Sequence, residues 1–340
     1  MKVAIYNKNR EMRISDYPKP DLIGRKGAII KVLGCGLCGS DIVKIQKDLV
    51  PVGTVLGHEV IGVIEDINTD VETTLKVEDK IATAHHVPCY ECKYCLQKSF
   101  SMCKTFKKTN LEPGGFSEYL YLSELHLKYN TIKVPEGIND LQASLMEPLG
   151  CILRALNRAS ISKDQSVLVV GLGFIGLLFV QTLKAYGYRV LGCDLIPDRL
   201  KLATQMGADF VFKSDNIENS VLSVNNNLDF KGVDVVILAS GANKSVELAT
   251  SIVRDGGKIV IFASIPDENT GYFNNDIYYK KLEVIGAYSS SPEFLVSAMD
   301  LIRCGKIKMD EYCETMLLED INEAVSKTLK HQTLKVYLKI

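Results

Sequence analysis

The chain has 340 residues, 46% hydrophobic and 24% charged, with a formal net charge of −1. That length allows two domains of about 150 residues each, and the composition is that of a folded globular protein. The balanced charge offers no general attraction to nucleic acid or to an anionic membrane. The longest apolar run, around Gly171, is too short and too rich in glycine to span a bilayer. Ten cysteines would suit an oxidised secreted protein. Yet Met1-Lys-Val-Ala-Ile-Tyr6 enters a strand-like pattern without an apolar signal core, and four cysteines lie at short spacing. Metal binding in the cytoplasm is therefore the expectation.

In chain order, residues 1 to about 35 predict short strands, with turns at Pro18-Lys-Pro20 and Gly24-Arg-Lys-Gly27. The β-type run Ala28–Leu33 delivers Cys38-Gly-Ser-Asp41. A second strand pattern, Gly53–Glu65, is interrupted by Gly57 and Gly62, which predicts a bulge or a close backbone approach. Between them, Cys38, His58 and Glu59 offer a thiolate, an imidazole and a carboxylate, the ligand types zinc takes. The same residues serve equally as a buried structural cysteine and a hydrogen-bonded histidine.

Next come Cys89, Cys92, Cys95 and Cys103, at x2, x2 and x7 spacing. Four thiolates in one short lobe close a tetrahedral shell, so such a zinc is structural. An iron–sulfur cluster or a nucleic-acid-binding zinc ribbon are the alternatives. Lys93, Lys98, Lys104, Lys107 and Lys108 then form either a basic contact face or an ordinary solvated one. Pro113–Leu122 predicts a turn and a strand, and Lys133-Val-Pro-Glu-Gly137 another turn. Leu141–Cys151 begins as helix, and Pro148 predicts its break, because the residue before proline is pushed from helical geometry. The domain boundary is placed there. Glu147, in apolar surroundings, needs a partner or a metal.

The stretch Val167-Leu-Val-Val-Gly171-Leu-Gly173-Phe-Ile-Gly176, with the strand ending at Asp194, predicts strand, tight turn, helix and strand. Gly171 permits the turn, Gly173 lets backbone approach a pyrophosphate, and Gly176 lets the helix pack on the sheet. The helix N-terminus then faces an anion. Asp194, about 20 residues on, suits the ribose hydroxyls of NAD and disfavours the extra phosphate of NADP, a preference that nearby Arg199 tempers. Without that context the glycines would be an ordinary loop. A helix over Asp198–Met206, strands over Ala208–Phe212 and Val233–Leu238, a helix over Ser245–Val253, and strands over Gly257–Phe262 and Leu282–Gly286 follow. Strands alternating with helices predict an α/β, doubly wound parallel sheet. Asn225-Asn-Asn227 reads as a loop, and Pro292–Cys304 as a helix before short terminal segments.

Together these motifs resemble the zinc-dependent medium-chain dehydrogenases, the alcohol, polyol and threonine dehydrogenase superfamily. The resemblance rests on Cys38-Gly-Ser-Asp41, Gly57-His-Glu59-x-x-Gly62, the four-cysteine lobe, Gly114-Gly-Phe-Ser-Glu-Tyr119, Glu147-Pro148 and the Gly171–Gly176 motif, and covers essentially the whole chain. It implies a mainly β, GroES-like catalytic domain over 1–149, to which 288–340 return, and a Rossmann NAD-binding domain over 150–287, with a cleft between them. It implies a structural zinc in the lobe and a catalytic zinc on Cys38 and His58. The third ligand is Glu59 or Glu147, with Glu147 slightly preferred, because Glu59 reaches the metal beside His58 only if Gly57 bends the backbone. It also implies that zinc polarises the substrate hydroxyl, that the proton leaves through Ser40, and that hydride passes to NAD. Phe174 and Ile175 fall in the cofactor loop, with Ile175 against the nicotinamide. The family's relay histidine is replaced by Val43. His85 and His86 match substrate-pocket positions, or form a satisfied polar pair in a loop.

The function implied is oxidation of a secondary alcohol, of polyol or sugar-alcohol type, in a homo-oligomer (tetramer or dimer). A simple-alcohol or amino-alcohol enzyme is the nearest alternative. A non-catalytic, zinc-stabilised NAD-binding regulator is another, and a zinc-lobe nucleic-acid binder is disfavoured by the balanced charge.

Overall fold

The structure is a computed structural model and describes residues 1–226, 231–264 and 274–340. The chain divides into two compact units, Met1–Gly150 with Ser290–Ile340, and Cys151–Ser289.

In the first unit, Lys2–Tyr6 (β1) pairs antiparallel with Met12–Asp16 (β2). Gly27–Gly36 (β3) leads into the helix Gly39–Gln46 (α1), followed by Glu59–Asn68 (β4), Lys80–Thr83 (β5), Tyr119–Ser123 (β6) and Thr131–Lys133 (β7). Two helices follow, Asp140–Ser144 (α2) and Met146–Ala159 (α3). Asn139 caps α2 by accepting the Gln142 N–H at 2.8 Å. The expected break at Pro148 is a correction: α3 runs through it. Pro148 lies in the first turn of α3, where its missing N–H would have had no partner anyway, so the interruption falls before it, between α2 and α3.

The second unit alternates strand and helix. Its elements are Ser166–Val170 (β8), Phe174–Ala185 (α4), Arg189–Asp194 (β9), Pro197–Gln205 (α5), Phe210–Lys213 (β10), Ile217–Asn225 (α6), Val233–Leu238 (β11), Asn243–Ile252 (α7), Val253–Ile261 (β12) and Glu283–Gly286 (β13). The sheet order is β10-β9-β8-β11-β12-β13, and every recorded pairing is parallel. That is the Rossmann order, with the strand direction of winding reversing between β8 and β11. All five residues of β8 are buried, as a strand covered on both faces requires, which explains its unbroken apolar run. Asparagine-rich 216–226 hid α6, whose start Asn216 caps by accepting from the Asn219 N–H. Asn225 therefore ends a helix, and Asn227 lies outside the described residues.

Pro292–Arg303 (α8), Cys313–Leu317 (β14) and Lys335–Lys339 (β15) return to the first unit. Its large sheet has the order β14-β15-β3-β4-β5-β7, with β6 also on β3. Gly62 of β4 faces β3 so closely that a Cβ there would lie 2.7 Å from the Lys31 carbonyl oxygen. The predicted close approach is at that glycine. Ile30, Ile45, Ile64, Phe116, Leu120 and Val336 belong to the core behind this sheet. Among the described residues, no helix is long and apolar enough to cross a membrane.

Candidate active site

The cysteine lobe is built almost entirely from one segment. Cys92 starts the short helix Lys93–Leu96, and Cys103 precedes the helix Lys104–Lys108. Cys95 and Cys103 pack with Phe100 and Phe106 in a small separate core. The sulfur atoms of Cys92 and Cys95 are 3.6 Å apart, those of Cys103 and Cys89 3.6 Å, and those of Cys89 and Cys95 3.9 Å. A tetrahedron with 2.3 Å zinc–sulfur bonds has edges of about 3.8 Å. The four thiols are unbridged and already stand at the corners of that shell. Burial pushes Cys103 up, but surrounding N–H groups outweigh it and hold its thiol at about 6.

The second cluster draws on distant parts of the sequence. Strand β3 ends at Gly36 and places Cys38 at the start of α1. Gly57, at φ +89°, bends the chain just before β4, so that His58 lies outside the strand and Glu59 is its first residue. That bend removes the opposite-face constraint. The ligand atoms of Cys38, His58 and Glu59 all lie within 4.8 Å of one another. Gly36 is paired with Glu59 across β3 and β4, and a Cβ at Gly36 would lie 1.9 Å from Glu59 Oε2. The space left by that missing side chain is where the carboxylate turns towards Cys38. Glu147 is buried near the start of α3, and the carboxylate grouped with Cys38 and His58 is Glu59.

Two further charges hold the triad. Asp41 is fully buried, accepts the Cys38 N–H at 3.3 Å and sets Oδ1 3.4 Å from His58 Nδ1. Burial disfavours a charged imidazole, but Asp41 and Cys38 outweigh it and hold His58 well above its ordinary value. A metal ion would take the place of that proton. Lys335 of β15, also buried, sets Nζ 2.5 Å from both Glu59 oxygens and donates to Oε1. Burial lowers the Lys335 value, but Glu59 more than reverses it. Sequence reasoning gave neither residue a role. Asp41 had a signal, since its place three residues after the helix-starting Cys38 is that of a capping partner. Lys335 had none, being 276 residues from Glu59.

Two further imidazoles continue the row from His58 of the triad. Ring centroids of His58 and His85 are 4.6 Å apart, and those of His85 and His86 3.8 Å. Burial lowers both His85 and His86, the latter to about 4, so both are neutral near pH 7. His86 Nδ1 lies 2.6 Å from the Thr109 carbonyl oxygen, while His85 Nδ1 is buried with no hydrogen-bond partner among the described residues. Ser40 Oγ donates to Cys38 Sγ at 3.4 Å.

In the second unit, Gly171 has φ +89°, and a Cβ on Gly176 would lie 1.9 Å from the Gly171 carbonyl oxygen. A Cβ on Gly173 would meet nothing within 4 Å, leaving the start of α4 open to a ligand. Helix α4 has no acidic residue in its first turn and no side-chain cap, so its N–H groups remain available to an anion. Asp194 Oδ2 accepts the Leu172 N–H at 2.7 Å, and Arg199 Nη1 lies 3.5 Å from the same oxygen.

Residues 175–303 match the zinc-binding dehydrogenase family, and residues 24–136 match the alcohol dehydrogenase GroES-like domain. The chain is 30% identical to D-xylulose reductase A of Aspergillus oryzae over 347 aligned positions, covering 96% of this chain and 93% of that protein. It is 28% identical to sorbitol dehydrogenase of Bacillus subtilis over 356 positions, covering 99% and 96%. Acetophenone reductase from Geotrichum candidum, solved in complex with NAD, superposes with a TM-score of 0.86 at 25% identity, covering 100% of this chain and 97% of that one. The chain belongs to the zinc-dependent medium-chain dehydrogenase superfamily. It is an oxidoreductase of alcohols that uses zinc and NAD.

Proposed function

We propose that the chain oxidises a polyol or sugar alcohol at a secondary carbinol and reduces the ketose in the reverse direction. The meeting of Cys38, His58 and Glu59 beside Ser40 and the neutral His85–His86 pair carries this reading. The names of the relatives, D-xylulose reductase and sorbitol dehydrogenase, support the polyol class. Zinc contributes Lewis-acid polarisation of the carbinol oxygen, and NAD is the hydride acceptor. Cys38, His58 and Glu59 hold the metal, and Asp41 and Lys335 hold His58 and Glu59. Glu147 is held in reserve as a buried carboxylate. The Ser40 hydroxyl takes the carbinol proton and, with Val43 where a relay histidine would stand, passes it towards water or the ribose. His85 and His86 offer uncharged hydrogen-bonding edges to polyol hydroxyls. Cys89, Cys92, Cys95 and Cys103 hold a structural zinc.

In the second unit, Gly171, Gly173, Phe174, Ile175 and Gly176 form the cradle for the pyrophosphate and nicotinamide. Asp194 binds the ribose, with Arg199 beside it. The protein acts in the cytoplasm, a reducing compartment that suits ten free cysteines. It assembles as a dimer or tetramer. The edge strand β13 supports assembly, since it ends the sheet with Val284 38% exposed and Tyr288 nearby 58% exposed.

The test is zinc per subunit together with NAD reduction over polyols, simple alcohols and amino-alcohols. Two zincs with turnover of polyols are expected. Turnover confined to simple or amino-alcohols would move the substrate class. One zinc, in the lobe, with no turnover at all would leave an NAD-binding regulator.

A further inference from the structure

The segment that carries His85 and His86 has no regular structure, yet side chains take every carbonyl from Ala84 to Val87. Asn130 Nδ2 donates to the Ala84 carbonyl at 3.4 Å and to the His86 carbonyl at 2.5 Å. His126 Nε2 lies 2.9 Å from the His85 carbonyl oxygen. Thr109 Oγ1 donates to the Val87 carbonyl at 3.1 Å and accepts the Val87 N–H at 3.0 Å. Three side chains thus stand in for the ladder that a strand would have supplied. His126 and Asn130 are each 1% exposed, so removing either leaves buried carbonyls unpaired.

The same contacts fix where the hydrogens sit. A carbonyl only accepts, so His126 carries its hydrogen on Nε2. Burial lowers His126 and keeps it neutral, so its Nδ1, 2.7 Å from Ser123 Oγ, accepts that hydroxyl. By the same rule His86 carries a hydrogen on Nδ1, facing the Thr109 carbonyl. The His86 ring also lies 5.0 Å from that of Phe106, which belongs to the core of the cysteine lobe. Thr109 directly follows the lobe's helix Lys104–Lys108. His86, held there, backs the His85 ring at 3.8 Å, and His85 in turn lies 4.6 Å from His58. Next to the triad, His85 Nδ1 is buried with no hydrogen-bond partner among the described residues, an unfavourable state that a ligand hydroxyl would relieve.

Resting on the dehydrogenase reading above, we infer that His126, Asn130 and Thr109 are positioning residues for substrate choice. They hold His85 so that Nδ1 binds a second hydroxyl of the substrate while the first faces Cys38, His58 and Glu59. A polyol supplies that second hydroxyl, whereas a simple alcohol leaves Nδ1 unpaired. Through Phe106 and Thr109 the cysteine lobe then bears on substrate choice as well as on stability.

The experiment measures NAD reduction with sorbitol, xylitol and 2-propanol in wild type, His126→Leu, His126→Gln and Thr109→Val, with zinc content recorded for each. In His126→Leu and Thr109→Val, kcat/KM for the polyols relative to 2-propanol is expected to fall about 10-fold, the effect of one lost hydrogen bond. The loss appears in KM, and zinc stays at two per chain. His126→Gln, whose amide still donates to the His85 carbonyl, retains most of the ratio. Equal losses on polyols and 2-propanol would mark a merely structural role and overturn the assignment. So would an unchanged ratio, or a wild type that oxidises 2-propanol but no polyol. If no alcohol reduces NAD, the dehydrogenase reading itself fails, and a second readout decides the positioning. The chain has five histidines, few enough for nitrogen-15 NMR of zinc-loaded protein to follow each ring. Sorbitol is expected to shift His85 Nδ1 in the wild type, and the shift is lost in His126→Leu and Thr109→Val. No shift in the wild type, or the same shift in both variants, would sink the proposal.

Discussion

The two metal clusters of the first unit reach similar ends by opposite routes. The lobe takes four thiols from a single segment between Cys89 and Cys103, with sulfurs 3.6 to 3.9 Å apart and no position left for substrate. The triad takes Cys38 from a helix start, His58 from a bend and Glu59 from a strand, and adds Asp41 and Lys335 from α1 and β15 to hold them. A lobe closed by its own ligands needs little from the fold. An open site needs the sheet register, a missing Cβ at Gly36 and two buried counter-charges. Structural and catalytic metal sites differ in that support as much as in ligand number.

Substitution can break this comparison, and the largest effect is expected at Cys38. Cys38→Ser should lower turnover by about a thousandfold or more, since several kcal/mol of Lewis-acid stabilisation go with the metal. Metal analysis should find zinc falling from two per chain to one, with the lobe still loaded. Both zincs surviving would mean that the triad is not the second site.

Lys335→Met should follow, because in zinc-free protein it leaves the Glu59 carboxylate buried without its counter-charge. A loss of about 3–5 kcal/mol in stability is expected, read by denaturant unfolding, with much of it recovered in the Lys335→Met, Glu59→Gln double variant. A Lys335→Met protein as stable as wild type would show that the ion pair is not what holds Glu59.

Cys95→Ser sharpens the contrast from the other side. It should lose the lobe's zinc and about 2.7 kcal/mol of stability where free zinc stands about 100-fold above Kd, while the triad's metal is retained. Simultaneous loss of both metals would deny their independence. The smallest effect belongs to Asp41→Asn, which keeps the shape and the Cys38 N–H acceptor but removes the charge beside His58. Chelator competition should show about 10- to 100-fold weaker metal at the triad and no change at the lobe. Equal weakening at both would reduce Asp41 to a packing role.

What was legible in the sequence follows the same division. The lobe, the glycine turn with Asp194, and the strand–helix alternation of the second unit are contiguous, and each was readable from spacing alone. The triad was readable only through its resemblance to known dehydrogenases. Whether Glu59 could reach Cys38 alongside His58 turned on one backbone angle, since φ +89° at Gly57 decides whether neighbouring residues share a direction. Asp41 lies inside the Cys38-Gly-Ser-Asp41 motif, yet its contact with His58 depends on how α1 meets β4. Lys335 depends on β15 pairing with β3, a long-range register that no local pattern encodes. Pro148 misled because the bias of a pre-proline residue away from helix was read as a break, whereas Pro148 lies in the first turn of α3, which runs through it.

The lobe's small core has a consequence for how the protein survives in a cell. Phe100 and Phe106 are the buried aromatics that pack with its cysteines, too little apolar surface to order the 89–103 segment without a metal. A chain made under zinc starvation would therefore expose that segment to proteases while its parallel sheet remained folded. Limited proteolysis of zinc-depleted protein is expected to cut first between 89 and 103, with the zinc-loaded lobe resisting the same treatment.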